Sequence, residues 1–160
     1  MYDDPAVAVR EIGLWREPNN VLSSLAGSWL FRRSVDNGAS MIGTATITSR
    51  GDGQFDYHER GELRLPDGQT VDGECRYTFA ECAGGFSVLF AETPPRLFHR
   101  IVLHGIGPRL IGDGTHLCSA DRYDSRYEFR FDGSFVVQHA VHGPRKRYTI
   151  TTRYWRKSPT

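Results

Sequence analysis

The strict alternation from Phe55 to Leu65 constrains this chain more than any other feature. Phe55, Tyr57, Glu59, Gly61, Leu63 and Leu65 hold one parity, and Asp56, His58, Arg60, Glu62 and Arg64 hold the other. A period of two sends successive side chains to opposite faces of an extended strand. The second set is uniformly polar and belongs to water, so the first set faces a core. One inward member, Glu59, is a carboxylate.

The same period recurs along the chain. Trp29, Phe31 and Arg33 alternate with Leu30 and Arg32, and Gly43, Ala45 and Ile47 with Thr44, Thr46 and Thr48. Val71, Gly73, Cys75, Tyr77 and Phe79 alternate with Asp72, Glu74, Arg76 and Thr78. Turn residues separate the runs: Asp36-Asn37-Gly38, Gly51-Asp52-Gly53, Pro66-Asp67-Gly68, Gly84-Gly85, Asp132-Gly133 and Gly143-Pro144. Further strands are expected over 86–90, 97–103, 116–123, 127–131, 135–141 and 146–156. The stretch 104–114 holds four glycines and a proline and reads as loop, with Leu110-Ile111 a brief strand. About ten short strands joined by hairpins give an all-β chain, either an up-and-down barrel or a sandwich. The barrel is preferred, because closure removes exposed strand edges.

A chain of 160 residues, 39% hydrophobic and 24% charged, suits a single domain with a buried core. Residues 1–21 read as an N-terminal extension and 22–160 as the barrel. In the extension, Asp4-Pro5 opens a helix through Val7, Ile12 and Trp15 that Pro18 closes, and Asn20 caps a helical turn through Val21, Leu22 and Leu25. A formal net charge of +1 offers no basic stripe for nucleic acid. No apolar run is long enough to span a membrane, and the acidic start carries no secretory h-region, so a cytoplasmic protein is expected. Cys75, Cys82 and Cys118 are too few and too scattered for a zinc ribbon or a disulfide framework. No metal and no cofactor is expected.

Leu25-Ala26-Gly27-Ser28-Trp29, Tyr57-His58-Glu59-x-Gly61, Phe98-His99, His116-x-Cys118-x-x-Asp121-x-Tyr123, Gly143-Pro144-Arg145-Lys146 and Thr152-x-Tyr154-x-Arg156 occur in this order. Together with Gly43-x-Ala45 and Arg76-Tyr77, they resemble an uncharacterised lipocalin-like barrel family, domain of unknown function 6314, over roughly Leu22 to Arg156. The resemblance implies a single antiparallel barrel of the lipocalin or fatty-acid-binding type and brings no activity. In lipocalin-like barrels a basic residue of the last strand packs over the Trp of the Gly-x-Trp opening, which makes Arg153 and Arg156 the candidates here. Tyr154 with Arg156 is also similar to the Tyr and Arg by which small fatty-acid-binding barrels hold a ligand carboxylate.

Several residues could carry chemistry. An inward Glu59 must be paired, and Arg33 or Tyr77 is the expected partner. It anchors either a ligand cavity or a structural ion pair. His116 and Cys118 share one strand face, and Asp121 and Tyr123 the other unless a bulge unites them. Catalysis is open through Glu59, His116 or Asp121 as acid or base, with Cys118 as a nucleophile. His99, His116 and His139 are each the type of residue that ligates haem. His99 is expected inward with Leu97 and Ile101, and His139 with Phe135, Val137 and Val141. Arg145-Lys146-Arg147 reads as a solvated hairpin tip.

The preferred function is a small-molecule binding barrel without enzymatic activity, holding a partly apolar, anionic ligand. Its candidate site comprises Tyr57, Glu59, Tyr77, His99, His116, Cys118, Asp121, Tyr123, Tyr148, Tyr154 and Arg156. The rivals are an enzyme, a haem binder, and an interaction module that packs through its N-terminal segment, with a homodimer as one form. An open cavity above about 300 Å³ favours a binder or enzyme, and a solid core the interaction module.

Overall fold

The computed structural model describes Pro18 and residues 21–157. A short helix, α1 (Val21–Leu25), precedes ten strands: β1 (Gly27–Val35), β2 (Ser40–Gly51), β3 (Gln54–Arg64), β4 (Thr70–Cys82), β5 (Gly85–Phe90), β6 (Arg96–Ile106), β7 (Arg109–Cys118), β8 (Asp121–Phe129), β9 (Phe135–His142) and β10 (Arg147–Arg156). Each strand pairs antiparallel with its sequence neighbours, and β1 pairs with β10, which closes the barrel. Among the described residues no helix is long and apolar enough to cross a membrane. The expected helix at residues 4–18 and the Asn20 cap lie outside the described residues, apart from Pro18.

Alternation decides which side chains fill the barrel. Trp29 and Phe31 of β1, Phe55, Tyr57 and Glu59 of β3, and Phe135 and Val137 of β9 are all buried. One end of the barrel is closed by α1, whose Val21, Leu22 and Leu25 are buried. Trp29, with no exposed surface, donates its indole N–H to the Leu25 carbonyl at 2.8 Å. Of the two basic candidates, Arg156 packs over Trp29, with its guanidinium carbon 4.1 Å from the ring centroid. It also donates to the backbone carbonyls of Ala26, at 2.7 Å, and Ser24. Helix, indole and arginine thus form one plug.

Four local expectations change. Residues 104–114 are not loop; they form the end of β6 and most of β7, paired from Ile106↔Arg109 to Val102↔Asp113. Two of their glycines, Gly112 and Gly114, serve close packing. A Cβ on Gly112 would sit 2.5 Å from Cγ2 of Ile101 and 2.8 Å from the Val102 carbonyl oxygen. Residues 116–123 are not one strand but a tight hairpin, turning at Ser119, whose φ is 55°. No Gly, Asn or Asp marks that left-handed position, so the turn left no sequence signal. Leu97 does not face inward and is 52% exposed. A bulge makes Val88 pair with His99 while Leu89 pairs with Leu97, so Phe98 and His99 both turn to the core. Strand β8 also ends at Phe129, leaving Phe131 exposed beyond it.

Candidate functional site

The inward carboxylate predicted on β3 lies at the centre of a buried polar network. Glu59 is 4% exposed. Arg33 of β1 grips it with both Nη atoms, at 2.9 Å to Oε1 and 2.8 Å to Oε2. Arg33 Nε donates to Thr152 Oγ1 at 2.8 Å, and Nη1 lies 3.6 Å from the Met41 sulfur. Tyr57 donates to Glu59 Oε2 at 2.6 Å, and its oxygen is 2.8 Å from the Tyr154 hydroxyl. The single Tyr57 proton is committed to the carboxylate, so Tyr154 must be the donor in the second bond. Arg33 is therefore the partner of Glu59. Tyr77, the other expected partner, instead pairs its hydroxyl with the Cys75 thiol.

The electrostatics follow from this geometry. Burial works against the Arg33 charge, but the bond from Glu59 and the neighbouring tyrosines and carboxylate hold it more firmly protonated than usual. Burial and the adjacent Tyr154 and Glu59 push the Tyr57 phenol well up. Burial likewise pushes Tyr154 up to about 12. The network is thus the Arg33–Glu59 ion pair with two neutral phenols beside it.

Above the plug the barrel keeps a cavity of about 140 Å³. Its polar corner is Arg33, Tyr57, Glu59, Thr152 and Tyr154; Tyr77, Phe79, Phe98, Phe129 and Phe135 give it aromatic walls. His99, Tyr127 and His139 line the remaining side. This space lies below the size expected for an open binding barrel, yet the core is not solid. Inward aromatics narrow it: Phe135 stacks on Tyr154 with centroids 4.2 Å apart, and Tyr57 on Phe79 at 5.3 Å.

Both lumen histidines are anchored by hydroxyls. His99 Nε2 lies 2.9 Å from the Tyr127 oxygen, and His139 Nδ1 lies 2.6 Å from Ser125 Oγ. Burial, helped by His139 and His116, lowers His99 to about 3. Burial, helped by the Arg33 charge, lowers His139 to about 4. Both rings are neutral at pH 7. Unfolded, they take up protons near pH 6.5, so the unfolded chain binds more protons between there and the folded values. Stability is therefore expected to fall as pH drops from 7 to 4, by about 3 kcal/mol for each ring. Urea unfolding across that range should show the loss. His139→Gln should flatten its share, and an unchanged slope in that variant would remove His139 from the account.

The hairpin of β7 and β8 corrects the strand parity. His116 pairs with Tyr123 and Cys118 with Asp121, so all four side chains share one face through a turn rather than a bulge. They sit at the end of the barrel opposite the plug. His116 stacks on Phe98, with centroids 5.3 Å apart, and Asp121 lies 3.5 Å from Lys146. None of the four lines the cavity, so His116 and Asp121 are not joined to Glu59 as an acid–base set. Tyr148 is half-buried beyond the cavity lining, and Arg156 belongs to the plug, outside the lumen. Of the sequence candidates, Tyr57, Glu59, Tyr77, His99 and Tyr154 line the cavity. Arg33, Thr152 and His139 join them and were legible as inward parity positions. Tyr127 opened an expected strand, whereas Ser125 carried no signal, because the start of β8 was hidden by the unmarked turn. A cavity of this size between His99 and His139 has no room for a haem macrocycle, so the residues do not fit that group.

No curated protein matches the chain. Solved structures with a similar strand arrangement include a de novo designed fluorescence-activating β-barrel, at 14% identity and a TM-score of 0.44, covering 86% of this chain and 97% of that one. Another is EF1p2_mFAP2b bound to DFHBI, at 13% identity and a TM-score of 0.47, covering 88% and 98%. A mutant of the fluorescent protein UnaG is similar at 15% identity and a TM-score of 0.38, covering 86% and 99%. The strand pattern, the Trp29 plug and the inward Glu59 all fall within residues 25–156, which match the model of a family of unknown function, DUF6314, and the chain belongs to that family.

Proposed function

We propose that this barrel binds one small, partly aromatic molecule in its lumen and does no chemistry on it. The observation that carries this reading is the cavity of about 140 Å³ with aromatic walls and one polar corner. A dry apolar cavity of about 150 Å³ accepts a single benzene-sized ring, so a ligand of one ring with one polar substituent suits the space. The sequence-based preference for an anion rested on Arg156, which is engaged with Trp29 and two backbone carbonyls. The lumen cation, Arg33, is already neutralised by Glu59. An uncharged ligand therefore fits better than a carboxylate.

Filling the space tests the proposal. Val88→Phe adds a ring to the cavity wall. Benzyl alcohol is expected to raise the melting temperature of the wild type and leave that of Val88→Phe unchanged. Equal shifts in the two proteins would place the binding elsewhere and defeat the reading.

A further inference from the structure

We infer that the polar corner selects a ligand that donates a hydrogen bond, a phenol- or alcohol-type O–H seated on Glu59. This deepens the proposed lumen binding and rests on it. The argument is a count of protons. Arg33 directs its N–H groups at Glu59, Thr152 and Met41, and also bonds Tyr154. Tyr57 gives its only proton to Glu59, and Tyr154 gives its own to Tyr57. Each of these donors is already committed, and four of the bonds run toward the carboxylate.

What remains open is acceptor capacity. Glu59 Oε1 accepts from Arg33 Nη1 alone, whereas Oε2 accepts from both Arg33 and Tyr57. An ionised carboxylate oxygen accepts two or more hydrogen bonds. Oε1 therefore keeps acceptor capacity, and Glu59 lines the cavity, whereas the Tyr154 oxygen is already engaged by Arg33 and Tyr57. Thr152 keeps its own O–H, a single neutral donor. A ligand carboxylate would meet that one donor and the full charge of Glu59. A ligand hydroxyl would meet a charged acceptor in a low-dielectric site, where charge-assisted bonds are strong. A ligand with no donor would leave the corner unsatisfied, a loss that discriminates strongly between otherwise similar molecules.

Phenol, anisole and benzoate differ mainly at this one group, and calorimetric titration of the full chain at pH 7 separates them. Phenol is expected to bind, anisole at least roughly tenfold more weakly, and benzoate more weakly than anisole. Glu59→Gln keeps the shape and removes the charge of the acceptor, so it should narrow the gap between phenol and anisole. Anisole or benzoate binding as tightly as phenol would overturn the donor rule while leaving lumen binding intact. Failure of all three to bind the wild type at millimolar concentration would overturn the lumen reading, and the donor rule with it. If Glu59→Gln does not fold, the order of the three ligands on the wild type decides alone.

Discussion

Replacing Arg33 by Met is expected to cost about 3–5 kcal/mol of folding stability at neutral pH. The substitution keeps much of the side-chain volume but strands a buried carboxylate whose two oxygens Arg33 holds at 2.9 and 2.8 Å. It also removes the donor to Thr152. Most of the loss is the penalty of an unpaired buried charge, so removing both charges should restore much of it. Arg33→Met combined with Glu59→Met is expected to be markedly more stable than Arg33→Met alone. Equilibrium urea unfolding measures all three proteins. A loss below about 1 kcal/mol in the single variant would mean that the pair contributes no more than an exposed one.

Gly61→Ala is expected to be among the most damaging single-methyl changes in the barrel, costing more than about 4 kcal/mol or preventing folding. Gly61 of β3 pairs directly with Gly43 of β2. A Cβ on Gly61 would lie 2.2 Å from the Ile42 carbonyl oxygen, and one on Gly43 would lie 2.1 Å from that of Arg60. These obstacles are backbone atoms, so no rotamer change relieves them. Gly105→Ala is the control, because a Cβ there meets nothing within 4 Å. It should leave stability unchanged or raise it by about 0.5 kcal/mol through the unfolded chain. Paired melting curves separate the two outcomes. Equal tolerance at both positions would mean that β2 and β3 are not so closely apposed.

The same two regions show how far the sequence could be read. The alternation around Glu59 gave the strand, its inward face and the need for a cationic partner, because burying an unpaired charge is prohibitive wherever the strand lies. It also supplied Arg33 as a candidate, since Arg33 shares the inward parity of Trp29 and Phe31 on β1. The parity turned Tyr57 inward and the candidate site included Tyr154, but spacing could not supply the contact between them. Tyr57 and Tyr154 lie 97 positions apart in the chain, and their 2.8 Å contact depends on how far the strands stagger around the barrel. The mouth was misread for a local reason. Ser119 adopts a left-handed conformation without the residues that usually signal one, so one strand was expected where two meet.

The alternating pattern and the turn residues alone therefore determined an antiparallel β-chain of about ten strands, its buried face and an inward carboxylate, because period and turn chemistry are properties of neighbours in sequence. Tertiary structure alone decided that Arg156 seals one end instead of gripping a ligand, that His116 and Asp121 stand apart from Glu59, and that the lumen holds about 140 Å³. Those outcomes depend on closure and stagger of the barrel, which bring together groups that no local spacing relates.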